Sequence, residues 1–213
     1  MLTQERLLYL EKNLAKPMAH FFLKNPPNRA NIDPIYKELF SEHEAAPRFR
    51  DDKRSEFTWS YVNKVFEQYV RNVMDKFCLY DGFTLPSSIN GTFGRTYAQT
   101  RPNGSVEFFD VGSRDQITQL DGLYMFEDTP VIVESKTNST RNSGKGANMQ
   151  EKKRPVSEIY GREPLVINVR SGSFENAGHV RINQGPSILI YTTPVSKKHL
   201  DYLVRQMRRN LDS

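Results

Sequence analysis

The feature that most restricts the fold is a short apolar run ending in charge, Thr129-Pro-Val-Ile-Val-Glu-Ser-Lys136. Val131, Ile132 and Val133 are three consecutive β-branched residues, the composition of a buried strand. Strand side chains alternate, so Glu134 and Lys136 share one face while Val131, Val133 and Ser135 share the other. A carboxylate and a lysine at the end of such a strand are costly to bury unless they find partners there. The segment before it, Gln119 to Phe126, also has strand character, with Glu127-Asp128 as the turn between the two. Asp121 then falls on the strand beside Glu134. The expectation is a sheet that gathers two carboxylates and a lysine at one end.

The rest of the pattern supplies what surrounds that sheet. Val62, Val65, Phe66, Tyr69, Val70, Val73, Met74 and Phe77 recur at three and four residues, an amphipathic helix that stops near Asp81-Gly82. Strands are expected over Phe83–Ile89, Phe93–Gln99, Val106–Val111, Gln119–Phe126 and Pro130–Lys136, with a hairpin turn at Asn103-Gly104. A polar segment from Thr137 to Asn148 leads to a helix around Pro155–Tyr160, strands Leu165–Val169 and Ser187–Thr192, and a last helix from Ser196. That order predicts an α/β arrangement: a mixed central sheet flanked by helices.

The first fifty residues read differently. Leu7, Leu8, Leu14, Met18, Phe21 and Phe22 keep helical spacing until Asn25-Pro-Pro-Asn28 breaks the chain. Asp33-Pro34 then opens a second helix that runs to Glu44. Pro47 and the charged run Arg48 to Arg54 resemble a linker. Residues 1–50 are therefore expected to be a helical N-terminal appendage with an interaction or core-capping role, and residues 51–213 the functional domain.

Composition narrows the partners. Lys and Arg outnumber Asp and Glu by 30 to 25, a formal charge of +5, which suits a polyanionic partner without demanding one. Nothing approaches the roughly 20 apolar residues of a membrane span, and no signal-peptide pattern opens the chain. The single cysteine, Cys78, excludes an internal disulfide and a cysteine-built zinc site, and points to an intracellular setting. Ser143-Gly-Lys-Gly146 lacks the glycine spacing of a phosphate-binding ATPase loop, so no nucleotide cofactor is expected.

Two carboxylates and a lysine can be read chemically. Mg²⁺ takes oxygen ligands, commonly one or two carboxylates completed by water and phosphate oxygens. Asp121 and Glu134 would supply the carboxylates, and the peptide carbonyl of Ser135 a third oxygen. Lys136 would hold or deprotonate a water, or neutralise a phosphate; the sequence does not separate these roles. The same residues can also form a plain ion-pair face, since Glu-x-Lys is a common tripeptide.

The arrangement resembles the PD-(D/E)xK, or restriction-endonuclease-like, nuclease superfamily: an acid on one strand, then acid-x-lysine ending the next. Twelve residues separate Asp121 from Glu134, an ordinary gap for that family. Many members carry a further acid on the helix before the sheet, and Glu67 in Val65-Phe-Glu-Gln-Tyr-Val70 matches it, followed by Asp81-Gly-Phe83. That stretch is similar to archaeal Holliday-junction resolvases, and the size and charge suit nucleases of archaeal spindle-shaped viruses. The likeness covers about residues 60–136, more loosely to 192; the family's proline before the first acid is replaced by Leu120. It implies hydrolysis of DNA phosphodiesters with Mg²⁺ or Mn²⁺, branched DNA among the candidate substrates, and a homodimer whose two sites cut two strands.

Further candidates flank this set. Some branches of the family place a glutamine on the helix after the lysine strand, which is Gln150 here; a solvated loop glutamine is the alternative. Arg141, Lys145, Lys152 and Lys153 lie in the polar segment after the catalytic strand and are of the types that bind phosphates, or else form a solvated loop. Glu67, three residues after Lys64 and four before Arg71, could equally be an exposed ion-pair acid. His179 with Asn183 faintly suggests a histidine nuclease, but no second histidine pairs with it in sequence. The competing function is a DNA-binding or assembly protein that keeps such a fold without turnover.

Overall fold

The computed structural model describes residues 2–44, 54–79, 83–84, 89–137, 149–183, 187–196 and 198. Among these residues five α-helices, α1 (Gln4–Leu10), α2 (Lys16–Lys24), α3 (Arg29–Glu44), α4 (Arg54–Phe77) and α5 (Met149–Tyr160), accompany two sheets. The larger sheet has six strands in the order β1 (Phe83–Thr84), β6 (Gly122–Phe126), β7 (Thr129–Thr137), β8 (Leu165–Ser171), β10 (Ser187–Thr192), β9 (Val180–Asn183). It is mixed: β7, β8 and β10 run parallel, while β1, β6 and β9 pair antiparallel with their neighbours. The smaller sheet is an antiparallel meander of β2 (Asn90–Phe93), β3 (Thr96–Thr100), β4 (Val106–Asp110) and β5 (Gln116–Leu120). The α/β expectation is met, with a second sheet that the sequence pattern did not separate from the first.

Alternation along β7 sorts the layers. Val131 and Val133 face a core built from α4 (Val65, Phe66, Tyr69) and the N-terminal helices (Leu10, Leu14, Phe22, Ile32). Ile132 faces the opposite core, with Leu120 and Phe108 of the small sheet and Val156 of α5. The six-stranded sheet thus lies between a helical layer and a layer made of α5 and the meander. Of the segment expected as a helical appendage over residues 1–50, the buried side chains from Leu7 to Ile35 belong to the same cluster as β7, β8 and β10, so these helices cap the core of the large sheet. Arg6 adds a polar tie, donating to Glu127, Asp128 and Thr129 at the β6–β7 turn at 2.9 Å each.

Several boundaries differ from expectation for identifiable reasons. α3 starts at Arg29, because Asn28 caps it: its Oδ1 accepts from Asn31 N at 3.2 Å and its carbonyl from Ile32 N at 2.9 Å. Pro34 therefore lies inside the helix, beyond the first turn. Between α1 and α2 a π-turn, Glu11–Ala15, widens the helix just before Pro17, whose ring would clash with a carbonyl of a regular α-turn. The expected strand Phe93–Gln99 is split by a two-residue turn at Gly94-Arg95, with Gly94 at φ +59°. Asn103-Gly104 does form a hairpin turn: Gly104 N donates to Arg101 O at 2.8 Å, with Gly104 at φ +80°. The helix expected from Pro155 begins six residues earlier, at Met149. The last helix, and most of the segment expected as Phe83–Ile89, lie outside the described residues. Among the described residues no helix is long and apolar enough to cross a membrane.

Candidate functional site

The strand expected over Gln119–Phe126 is two strands in two sheets, and the residue between them is Asp121. The chain leaves the meander at Leu120 and enters the large sheet at Gly122, which pairs with Val133. At this switch the Asp121 backbone carbonyl is free of a ladder partner and accepts from Arg71 Nη2 at 3.0 Å. Its carboxylate turns onto the neighbouring strand, where Oδ2 accepts from Ser135 N at 2.8 Å and from Ser135 Oγ at 3.0 Å. Arg71 is buried on α4, and its stem supports Gly104 of the β3–β4 turn, where a Cβ would meet Arg71 Cδ at 2.9 Å. The meander, α4 and the switch are therefore locked together through one arginine.

Alternation then distributes the acid-x-lysine residues. Glu134 continues the Ile132 face, toward α5, and is 3% exposed. Lys152 of α5 reaches across and pairs with Glu134 Oε2. The other oxygen, Glu134 Oε1, is buried with no hydrogen-bond partner among the described residues. Ser135 and Thr137 take the opposite face, toward α4, where the Thr137 hydroxyl donates to Asn63. Lys136 lies on the Glu134 face and is exposed.

Glu67 joins the same cluster from α4. Asn63, Glu67 and Arg71 are spaced four apart and form a polar stripe on the side of the helix that faces the sheet. Burial, reinforced by the charge of Asp121, raises the Glu67 carboxyl to about 7, against the pull of Arg71. Burial and Asp121 likewise raise Glu134 to about 6, although Lys152 and Lys136 favour its ionised form. Glu67 thus feels the charges of Asp121 and Glu134, and Glu134 feels that of Asp121, which links the three acids electrostatically. The ion-pair expectation for Glu67 captures only Arg71 and Lys64, and misses its coupling to the strand acids.

The basic candidates separate. Lys152 belongs to the cluster, a role that its place in a polar segment did not reveal; the missing signal was that α5 starts early enough to carry it back over β7. Lys153 does not share that environment: it is 5% exposed, pairs with Glu163 at 3.5 Å, and is held below the ordinary lysine range by burial. It is therefore not displayed to a ligand. Gln150 is exposed in the first turn of α5, two residues before Lys152, on a helix and not in a loop. Arg141 and Lys145 lie outside the described residues. A cleft of about 740 Å³ opens elsewhere, between α2 and the β9–β10 edge. Its size does not make it the centre, because the acids with raised proton affinity, Glu67 and Glu134, lie beside the Asp121 switch.

The acid cluster suits a hard divalent cation in one specific respect. A buried carboxylate oxygen without a donor, beside two further carboxyls, is an oxygen ligand awaiting a positive partner. Among the described residues no three Asp, Glu, His or Cys side chains are gathered closely enough to form a complete cage. Any bound ion would thus draw on Asp121, Glu134 and the Ser135 carbonyl, and leave positions for water and substrate. No protein-family model matches the chain, and no match is found among curated proteins or solved structures.

Proposed function

We propose that the chain is a metal-dependent nuclease that hydrolyses DNA phosphodiester bonds at the Asp121 switch, on a restriction-endonuclease-like sheet. The observation that carries this reading is Glu134: a buried carboxylate with one oxygen unpartnered among the described residues, coupled to Asp121 and Glu67, at the end of the strand that also presents Lys136. The order of elements supports it, since a helix bearing an acid precedes the sheet, Asp121 precedes one central strand, and the next ends in Glu134-Ser-Lys136 before α5. Asp121, Glu134 and the Ser135 carbonyl would hold Mg²⁺ or Mn²⁺. Such an ion supplies a Lewis acid for the phosphate and a water of lowered pKa.

The chain's own residues have separable tasks. Ser135 fixes the Asp121 carboxylate by two hydrogen bonds, both to Oδ2. Lys136, exposed on the Glu134 face, orients a water or offsets phosphate charge. Glu67, at about 7, exchanges a proton with its surroundings at neutral pH and fits a base or a proton store. A homodimer acting on two strands of branched DNA follows from the family likeness.

One observation favours the second reading, a DNA-binding or assembly module without turnover: Lys152 already supplies positive charge to Glu134. Labelled single-stranded, duplex and four-way-junction DNA, incubated with Mg²⁺ or Mn²⁺, separates the two. The nuclease reading expects metal-dependent cutting that is lost in Lys136→Ala and Asp121→Ala. Tight binding of DNA with no cutting of any substrate would replace it with the second reading.

A further inference from the structure

The cleft between α2 and the edge formed by β9 and β10 has no part in the acid cluster. Lys16 and His20 line it from α2, and Asn176, His179, Arg181 and Tyr191 line it from the sheet side. The sequence places its two histidines 159 residues apart, and only the fold brings His20 and His179 to one concave surface. Among the described residues that line it, none is acidic. Lys16 pairs with Glu11 at 3.3 Å but remains 60% exposed, so this rim contact yields readily to a stronger anion. Arg181 is exposed as well.

Register ties this cleft to the candidate centre. Lys136 on β7 is the partner of Arg170 on β8, and Arg170 is the partner of Tyr191 on β10. Tyr191 N then donates to the His179 carbonyl at 3.1 Å. Register partners project to the same face, so Lys136, Arg170 and Tyr191 form a lateral row, with Lys136 and Arg170 exposed. At about 4.8 Å per strand, two steps put Tyr191 about 10 Å from Lys136, on the face of the sheet opposite the helical layer.

We infer that this cleft binds a single-stranded nucleic-acid segment, its cations taking phosphates and its rings stacking on bases. A concave groove that alternates cations with Tyr and His rings is the chemistry of single-strand binding, where a positive groove tracks the backbone and flat side chains stack on bases. A rigid duplex needs no ring platform, because its bases are already stacked. The site stands apart from catalysis: it is occupied whether or not the acid cluster cuts.

The test is the anisotropy of a fluorescein-labelled oligothymidylate in EDTA, with the full chain and no catalysis. Lys16→Glu combined with Arg181→Glu is expected to weaken binding at least tenfold. Without these two cations two fewer phosphates are neutralised, and the log–log salt slope falls by about 1.4. Both residues are exposed, and circular dichroism checks that the variant is folded. Lys16→Gln with Arg181→Gln provides the milder replacement. Affinity within twofold of wild type and an unchanged salt slope would overturn the inference, as would an equal loss of affinity for a duplex of the same length. A strand carrying 5-iodouracil should cross-link wild-type protein at residues 176–191; cross-links confined to other segments overturn it without any variant. No metal-dependent cutting by the wild-type chain, with cleft binding intact, would instead count against the nuclease reading alone.

Discussion

Replacing Glu67 by Gln should stabilise the metal-free protein above neutral pH, and the size of the gain follows from the site. The Glu67 carboxyl is raised from 4.5 to about 7 by burial and by Asp121. A carboxyl that titrates higher in the folded state keeps its proton there while the unfolded chain has already released it. Stability is therefore untouched below about pH 4.5, declines as pH rises from there to about 7, and stays at the lower level beyond. At 1.36 kcal/mol for each pKa unit, the full decline is about 3 kcal/mol. Glutamine keeps the volume and the hydrogen-bonding capacity but has no proton to lose.

The assay is urea or thermal unfolding of both proteins in EDTA at pH 5 and pH 8. At pH 5 the two should differ little. At pH 8, Glu67→Gln should be more stable by about 3 kcal/mol, which for a chain of this size corresponds to a midpoint about 6–12 °C higher. Glu134, raised to about 6 by the same causes, leaves a smaller residual slope in both proteins. Parallel pH profiles would refute the reasoning: Glu67 would then titrate as an ordinary surface acid beside Lys64 and Arg71, outside the cluster.

The other expectations are briefer. Lys152→Met leaves Glu134 buried without its cation and should destabilise by about 3 kcal/mol at pH 8. The loss should shrink at pH 5, where Glu134 holds a proton, and urea midpoints at the two pH values check it. Asp121→Asn removes charge while keeping a carbonyl for Ser135; Mn²⁺ affinity should fall by more than about tenfold, read by isothermal titration. Leu14→Ala empties part of the large core and should cost about 3 kcal/mol while preserving a single unfolding transition. Two separate transitions by circular dichroism and tryptophan fluorescence would show that the N-terminal helices fold as their own unit.

What could be read from the sequence depended on whether local period or long-range packing decided the outcome. β7 was legible because Val131, Ile132 and Val133 state both burial and alternation, and the faces of Glu134 and Ser135 follow from counting. α4 was legible from its apolar stripe. The break at Asp121 was not, because Gln119–Phe126 keeps a strand's composition throughout and nothing local announces that Leu120 and Gly122 pair in different sheets. Lys152 and Lys153 are adjacent in sequence and of one type, yet one meets Glu134 and the other Glu163. Only the rotation of α5 about its axis distinguishes them. The N-terminal helices read as peripheral because their apolar stripe is local, whereas its counterpart lies on strands more than a hundred residues away.

The cluster at Asp121 is unfavourable by design of its residue types, and that bears on what it is for. Amides at positions 67, 121 and 134 would accept hydrogen bonds from Ser135 N and from the Lys152 ammonium without mutual repulsion. Carboxyls there instead raise the proton affinity of Glu67 and Glu134 and leave Glu134 Oε1 buried without a donor among the described residues. A corner that served packing alone would gain stability from replacing Glu67, whose charged form burial and Asp121 disfavour. The site keeps charges that folding does not require, in a strand-to-strand switch already anchored by Arg71, and places an exposed lysine beside them. Negative potential held in a rigid frame, with one oxygen uncommitted, is an arrangement stabilised by a divalent cation. Protonation relieves it in the cation's absence, so metal affinity should rise with pH over the same interval, between about 4.5 and 7, in which the metal-free fold weakens.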